Sequence, residues 1–218
     1  YFGLMKGFLL SPVETFRSAR ETDLGDTLKY YLVLLVINAI LSAIIGIAIM
    51  SAVWATFVSL SASMGIPFPA VAGFGLVVLA IVMIIVQLFF AFISAAWLHL
   101  FVYLLGGRKG YLQTFKSVTF GSTPTMLLSW IPFVGFIFGI WTIILAILGI
   151  RELHEMSTGK AALAVILAII VIVILGVLGA VVVFSVRGVT NDSKEKSCLT
   201  EKRTLATAIE AYYAKFGS

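Results

Sequence analysis

The chain has 218 residues, of which 61% are hydrophobic and only 11% charged, with a formal net charge of +5. Soluble domains carry about 25% charged residues, so a deficit of this size excludes an ordinary water-soluble globular protein. The single cysteine, Cys198, excludes an internal disulfide and a cysteine-based metal centre, and no basic stripe with interleaved aromatics marks a nucleic-acid binder.

A membrane span needs about 20 apolar residues, because the hydrocarbon layer is ~30 Å thick and a helix rises ~1.5 Å per residue. From Tyr30 to Gly107 there is no Asp, Glu, Lys or Arg. Glycine and proline, rather than charge, must therefore divide that run. The expected fold class is all-α: a polytopic membrane bundle of five transmembrane helices with an amphipathic C-terminal helix. Residues 1–27 form an interfacial segment, 28–186 the transmembrane domain and 187–218 an extracytoplasmic tail.

The first apolar run, Phe8 to Leu10, is too short for a cleavable signal. Ser11-Pro12-Val13-Glu14 fits a capping box, with Ser11 as N-cap, Pro12 at the first helical position and Glu14 at the third. The short helix that follows turns Val13 and Phe16 to lipid or protein, and Arg17 and Arg20 to headgroups. Thr22 to Asp26 is a turn in which an Asp caps the next helix. The first span runs from about Leu28 to Phe57, with Tyr30, Tyr31 and Trp54 as an aromatic belt and Ser42 and Gly46 as a small-residue face. Asn38 inside it must hydrogen-bond another helix; packing is the reading preferred over a ligand role. Residues 58–75, with Gly65, Pro67, Pro69, Gly73 and Gly75, read as a loop.

The second span runs from about Leu76 to Leu105, with Gln87 facing the bundle and His99 about two turns before its end. Gly106-Gly107-Arg108-Lys109-Gly110 lacks the order of a nucleotide loop and reads as a tight turn at the membrane surface; Lys116 snorkels back to that surface. Ser117 to Ile150 contains 34 uncharged residues, too many for one span. Pro132 beside Trp130 divides it into a third span (about 111–129) and a fourth (about 133–150), or into a re-entrant hairpin. Gly135 and Gly139 form a weak GxxxG pair. In Arg151-Glu152-Leu153-His154-Glu155, Arg151 and Glu155 are spaced as a helix-surface pair, and Gly159 ends the turn. The fifth span runs from about Ala161 to Val186. Gly188 to Asp192 is a break, after which Leu205, Ile209, Tyr212 and Phe216 recur at helical spacing in an apolar face that wants a partner or a membrane surface.

With five spans, the N-terminus and the loops at 105–116 and 151–160 share a side. That side carries Lys6, Arg17, Arg20, Lys29, Arg108, Lys109, Lys116, Arg151 and Lys160, against no charge in the opposite short loops. The positive-inside rule places the N-terminus in the cytoplasm and the tail outside. The tail's six basic residues weigh the other way, but less.

The order of FLLSPVETF (Phe8–Phe16), Leu105-Gly106-Gly107, Pro124, Ile131-Pro132 with Gly135, Trp141, and Gly149 to Ala161 with His154 and Ser157 resembles the Yip-domain family of five-span membrane proteins, over roughly residues 8–185. The resemblance implies five helices, a cytoplasmic N-terminus and no known chemistry. Eukaryotic members of that family act in vesicle trafficking through small GTPases; this chain is closer in form to the prokaryotic relatives. From Ala161 onward, an apolar half followed by TLATAIEAYYAKFG is similar to the N-terminal helix of type IV pilins and pseudopilins, although Ala164 stands where a pilin has Glu. That similarity implies a globular head beyond Ser218.

No catalytic constellation or cofactor motif stands out. His99, His154, Glu152 and Glu155 fall toward one side and are the candidate metal or proton set, but neither His lies in an HxxxH or HExxH pattern. The expected role is a non-enzymatic scaffold or accessory protein, whose partners are the lipid bilayer and other membrane proteins or further copies of itself. A pilin-like secretion subunit is one alternative. A passive path for a neutral solute, lined by Asn38, Gln87 and His99, is the other.

Overall fold

The computed structural model describes residues 2–49, 55–56, 59–60, 62–63, 65, 68–131 and 134–217. Every regular element among them is a helix. In chain order these are α1 (Phe2–Leu10), α2 (Pro12–Ser18), a 3-10 turn (Ala19–Glu21), α3 (Leu24–Ile49), α4 (Phe68–Leu104), α5 (Tyr111–Gly121), α6 (Thr123–Leu128), α7 (Val134–His154) and α8 (Thr158–Phe216). The fold is an all-α helical bundle. Helices with no polar edge are the form a chain takes in lipid, where every backbone group must be bonded within its own segment. Pro132 and Trp54, on which the hairpin turn and the far aromatic belt depended, lie outside the described residues.

Four helices are long and apolar enough to cross a membrane, through Leu24–Ile44, Val77–Leu104, Val134–His154 and Thr158–Val186. The segment expected as the third span is instead two short helices, α5 and α6, divided at Ser122. Pro124 causes the division. It has no N–H to offer the Phe120 carbonyl one turn back. The Thr123 hydroxyl takes that carbonyl at 2.7 Å.

Two further boundaries differ from expectation. Residues 68–75 belong to α4 rather than to a loop. Pro69 falls in the first turn, where a missing N–H costs nothing, and each glycine costs only ~1 kcal/mol relative to Ala. Gly65, at φ +71°, keeps the turn before it. Similarly α8 continues through residues 188–192 without the expected break, and Gly159 sits in its first turn instead of ending one.

The chain divides into two compact units, residues 1–168 and 169–218. In the first, α5 is the packing centre: it lies against α3, α4 and α7, while α2 packs on α7 and α6 on both α1 and α3. One core cluster is aromatic. The Phe8 ring lies 4.9 Å from Phe16 and stacks on Phe120 at 5.0 Å; Tyr30 meets Phe120 edge-on at 5.1 Å. Tyr30 and Tyr31 are therefore core residues, buried to 1% and 5% exposure, and not an interfacial belt. The Tyr30 hydroxyl is engaged by Thr123 at 2.9 Å. A second cluster joins Tyr31 and Leu35 to Ala91, Ala95 and Phe115, with Phe92 stacked on Phe115 at 4.5 Å. The second unit is a single helical stretch whose side chains, where described, are exposed apart from the half-buried Val171.

Candidate functional site

The distinctive feature of the first unit is a clasp of charged groups at one end of the bundle. It begins with α2. Pro12 occupies the first helical position as expected, but the Ser11 side chain makes no capping bond. The Ser11 carbonyl instead accepts from the Thr15 hydroxyl at 2.8 Å. Arg17 and Arg20, three residues apart, share a face. That face meets α7, although the Arg17 side chain stays 63% exposed. Arg17 Nε donates to Glu152 Oε2 at 2.7 Å, and Arg20 Nη1 to Glu155 Oε1 at 2.8 Å. Arg20 Nη2 also reaches the Glu152 carbonyl at 2.5 Å.

The two glutamates are bridged further. Arg151 grips Glu152 Oε1 through Nε at 2.8 Å and Nη2 at 2.6 Å, so its partner is its neighbour and not Glu155. Lys109 Nζ pairs with Glu155 Oε2 at 2.6 Å. Glu155 sits at φ 55°, just past the end of α7, where the Met156 N–H returns to the Arg151 carbonyl at 3.0 Å. This is a Schellman-type end with a carboxylate in place of the usual glycine. Hydrogen bonding and charge from Lys109, with Arg20 adding to them, hold the Glu155 carboxyl below the usual carboxylate range.

Lys116 does not snorkel. It is buried to 1% exposure, and its ammonium donates to the Arg20 carbonyl at 2.6 Å, which Gln113 Nε2 also approaches at 3.4 Å. Asp23 caps α3 as expected, through Oδ1 to the Asp26 N–H at 2.7 Å. Arg108 folds back onto Tyr103, bonding its carbonyl at 2.6 Å and lying 3.7 Å over its ring.

Behind the clasp, the Thr114 hydroxyl joins His99 Nδ1 at 2.8 Å to His154 Nε2 at 2.9 Å. The hydroxyl has one proton, so it donates to one ring and accepts from the other. Gly107 is needed here: a Cβ would lie 3.1 Å from His154 Nδ1 and 3.0 Å from Met156 Sδ. The structure thus unites His99 and His154 but assigns Glu152 and Glu155 to arginines and Lys109. Among the described residues no group of three or more His, Cys, Asp or Glu is placed to hold a metal.

The other intramembrane polar residues are dispersed. Asn38 Nδ2 donates to the Met126 carbonyl at 2.8 Å and to Ser129 Oγ at 3.3 Å, which is the expected inter-helix bond. Gln87 is half-buried. A Cβ at Gly135 would stand 2.9 Å from the Ser129 carbonyl, whereas Gly139 has nothing within 4 Å. The two glycines do not act as one packing face. Ser42 is exposed. Leu205, Ile209, Tyr212 and Phe216 are exposed at 66, 48, 63 and 65%.

Sequence reading missed a run of hydroxyls along α5 and α6. Ser117 donates to the Ala146 carbonyl at 3.1 Å, Thr119 to Phe115 at 2.9 Å and Thr125 to Phe138 at 2.9 Å. Thr125 also meets Thr142 through their hydroxyls. The density of Ser and Thr between 114 and 125 was the available signal.

These helices and their self-closed polar end define a polytopic integral membrane protein. More closely, the chain belongs to the Yip1 domain family, whose domain matches residues 6–181 and so covers the second half of α1, the clasp and most of the apolar part of α8. No curated protein and no solved structure matches it.

Proposed function

We propose that this protein is a non-enzymatic scaffold or accessory subunit of a membrane assembly, with the N-terminus and clasp in the cytoplasm of a cell-membrane protein and the tail outside. The observation that carries this reading is the tail of α8. Leu205, Ile209, Tyr212 and Phe216 form an exposed apolar face on a helix, and such a face is stable in water only when something covers it. The charged end supports the same reading. Its carboxylates, Glu152 and Glu155, are paired with its own cations rather than left free to act as a general base. Asn38 and the α5–α6 hydroxyls bond to backbone or to one another, which favours packing over a solute path.

Gentle extraction from the native membrane, followed by mass analysis of what co-purifies, tests it. A stoichiometric partner is expected. Replacing Ile209 and Tyr212 together by Ala is expected to release that partner without changing the thermal transition of the bundle. A homogeneous lone chain counts against the proposal. The unbroken course of α8 from Thr158 to Phe216 favours one rival, a pilin-like subunit. A globular head encoded after Ser218 and recovery among pilus or secretion components would select it.

A further inference from the structure

A groove of about 420 Å³ runs beside α1, lined by Phe2, Met5, Leu9 and Leu10 with Ile37 of α3 and Leu127 of α6. Its lining is apolar except for one side chain, Lys6. The groove lies inward of the clasp. Phe8 is level with Tyr30 and Phe120, whereas Ile37 is seven residues further along α3, ~10 Å at 1.5 Å per residue, and Leu127 lies past the break, near the end of α6. Ile37 lies within the apolar stretch Leu24–Ile44, so the groove opens onto hydrocarbon. Phe2 and Leu10 flank it at 85% and 73% exposure.

Charge selects the occupant. At this end of the molecule Arg17, Arg20, Lys29, Lys109 and Arg151 are ion-paired, while Arg108 is held on the Tyr103 carbonyl and ring and Lys116 is buried on the Arg20 carbonyl. Lys6 is exposed and, among the described residues, has no carboxylate partner. An unneutralised ammonium on the rim of an apolar slot at membrane depth is complementary to a ligand with an anionic head and a hydrocarbon tail. We propose that this groove binds one anionic phospholipid, with an acyl chain along α1 and the phosphate on Lys6. The lipid would brace α1 against α3 and α6 from the bilayer side.

The test uses the full chain in nanodiscs of mixed phosphatidylglycerol and phosphatidylcholine, transferred to mild detergent for native mass spectrometry. One retained phosphatidylglycerol per chain is expected, favoured about fivefold over phosphatidylcholine, the factor expected of one lysine near anionic lipid. Lys6→Glu is expected to abolish the preference and Lys6→Arg to keep it. Leu9→Trp, which fills the slot, is expected to lose both lipids; should that variant fail to fold, the Lys6 pair still decides. Equal retention of the two lipids by the unmodified chain overturns the proposal. So does unchanged retention in Lys6→Glu, or a dimer that carries no lipid.

Discussion

Glu152 accepts from two arginines at once, one on α2 and one beside it in sequence. Its side chain is only 9% exposed, but those of Arg17 and Arg151 are 63% and 27% exposed, so solvent screens part of what removing the carboxylate uncovers. Glu152→Leu is expected to lower Tm by roughly 2–4 °C in detergent and to free α2 for proteolysis; an unchanged Tm would remove the clasp as a structural element. Glu155 behaves differently because it is solvated, and its contribution shows in pH. Its folded pKa lies below the unfolded one, so its ion pairs stabilise above the ordinary carboxylate range and are lost as pH falls through the lowered value. Thermal scans should therefore show Glu155→Gln less stable than the unmodified chain at neutral pH. The difference should begin to shrink as pH falls through the region of an unperturbed Glu, about 4.3, and vanish only below the lowered value.

At the scale of the element, α5 and α6 explain why a broken segment occupies the centre of the bundle. The break exposes the Phe120 carbonyl, and Thr123 answers it while also engaging the Tyr30 hydroxyl. Thr123→Val keeps the shape and removes both bonds at a buried position, which is expected to cost about 1–3 kcal/mol with helicity unchanged by circular dichroism. Tyr30→Phe should cost less, because the Phe120 carbonyl keeps its donor. The apolar runs that became α3, α4, α7 and α8 were legible in the sequence because lipid imposes length and composition directly. Asn38 was legible for the same reason, since a buried amide must find a partner. The partners of Arg17, Arg20 and Lys116 were not, because residues more than 90 positions apart meet only once the helices pack. The continuity of α8 was not legible because Gly188, Val189, Thr190, Asn191 and Asp192 are all weak helix formers, yet each costs at most ~1 kcal/mol and the helix runs on through them.

At the scale of the whole molecule, the contacts set the relative directions of α5, α6 and α7. Thr114 meets His154 at the charged end, Ser117 meets Ala146 midway, and Thr125 meets Phe138 furthest from the clasp. The α5–α6 segment therefore runs antiparallel to α7 and leads away from the clasp, although neither helix is long enough to span alone. It ends near Asn38, well along α3. On the proposed topology, with this segment as one of five passages, the tail is expected on the side of the membrane opposite the clasp. Cys198, exposed and the only cysteine, reports on this directly. In sealed vesicles an impermeant maleimide should reach Cys198 from one face. It should reach a cysteine placed at Lys109, in a Cys198→Ser background, only from the other. Labelling of both from the same face would mean that Thr158–Val186 does not carry the chain across, because α5 begins and α7 ends at the clasp whether or not they cross, and would put the partner-seeking tail on the clasp's side.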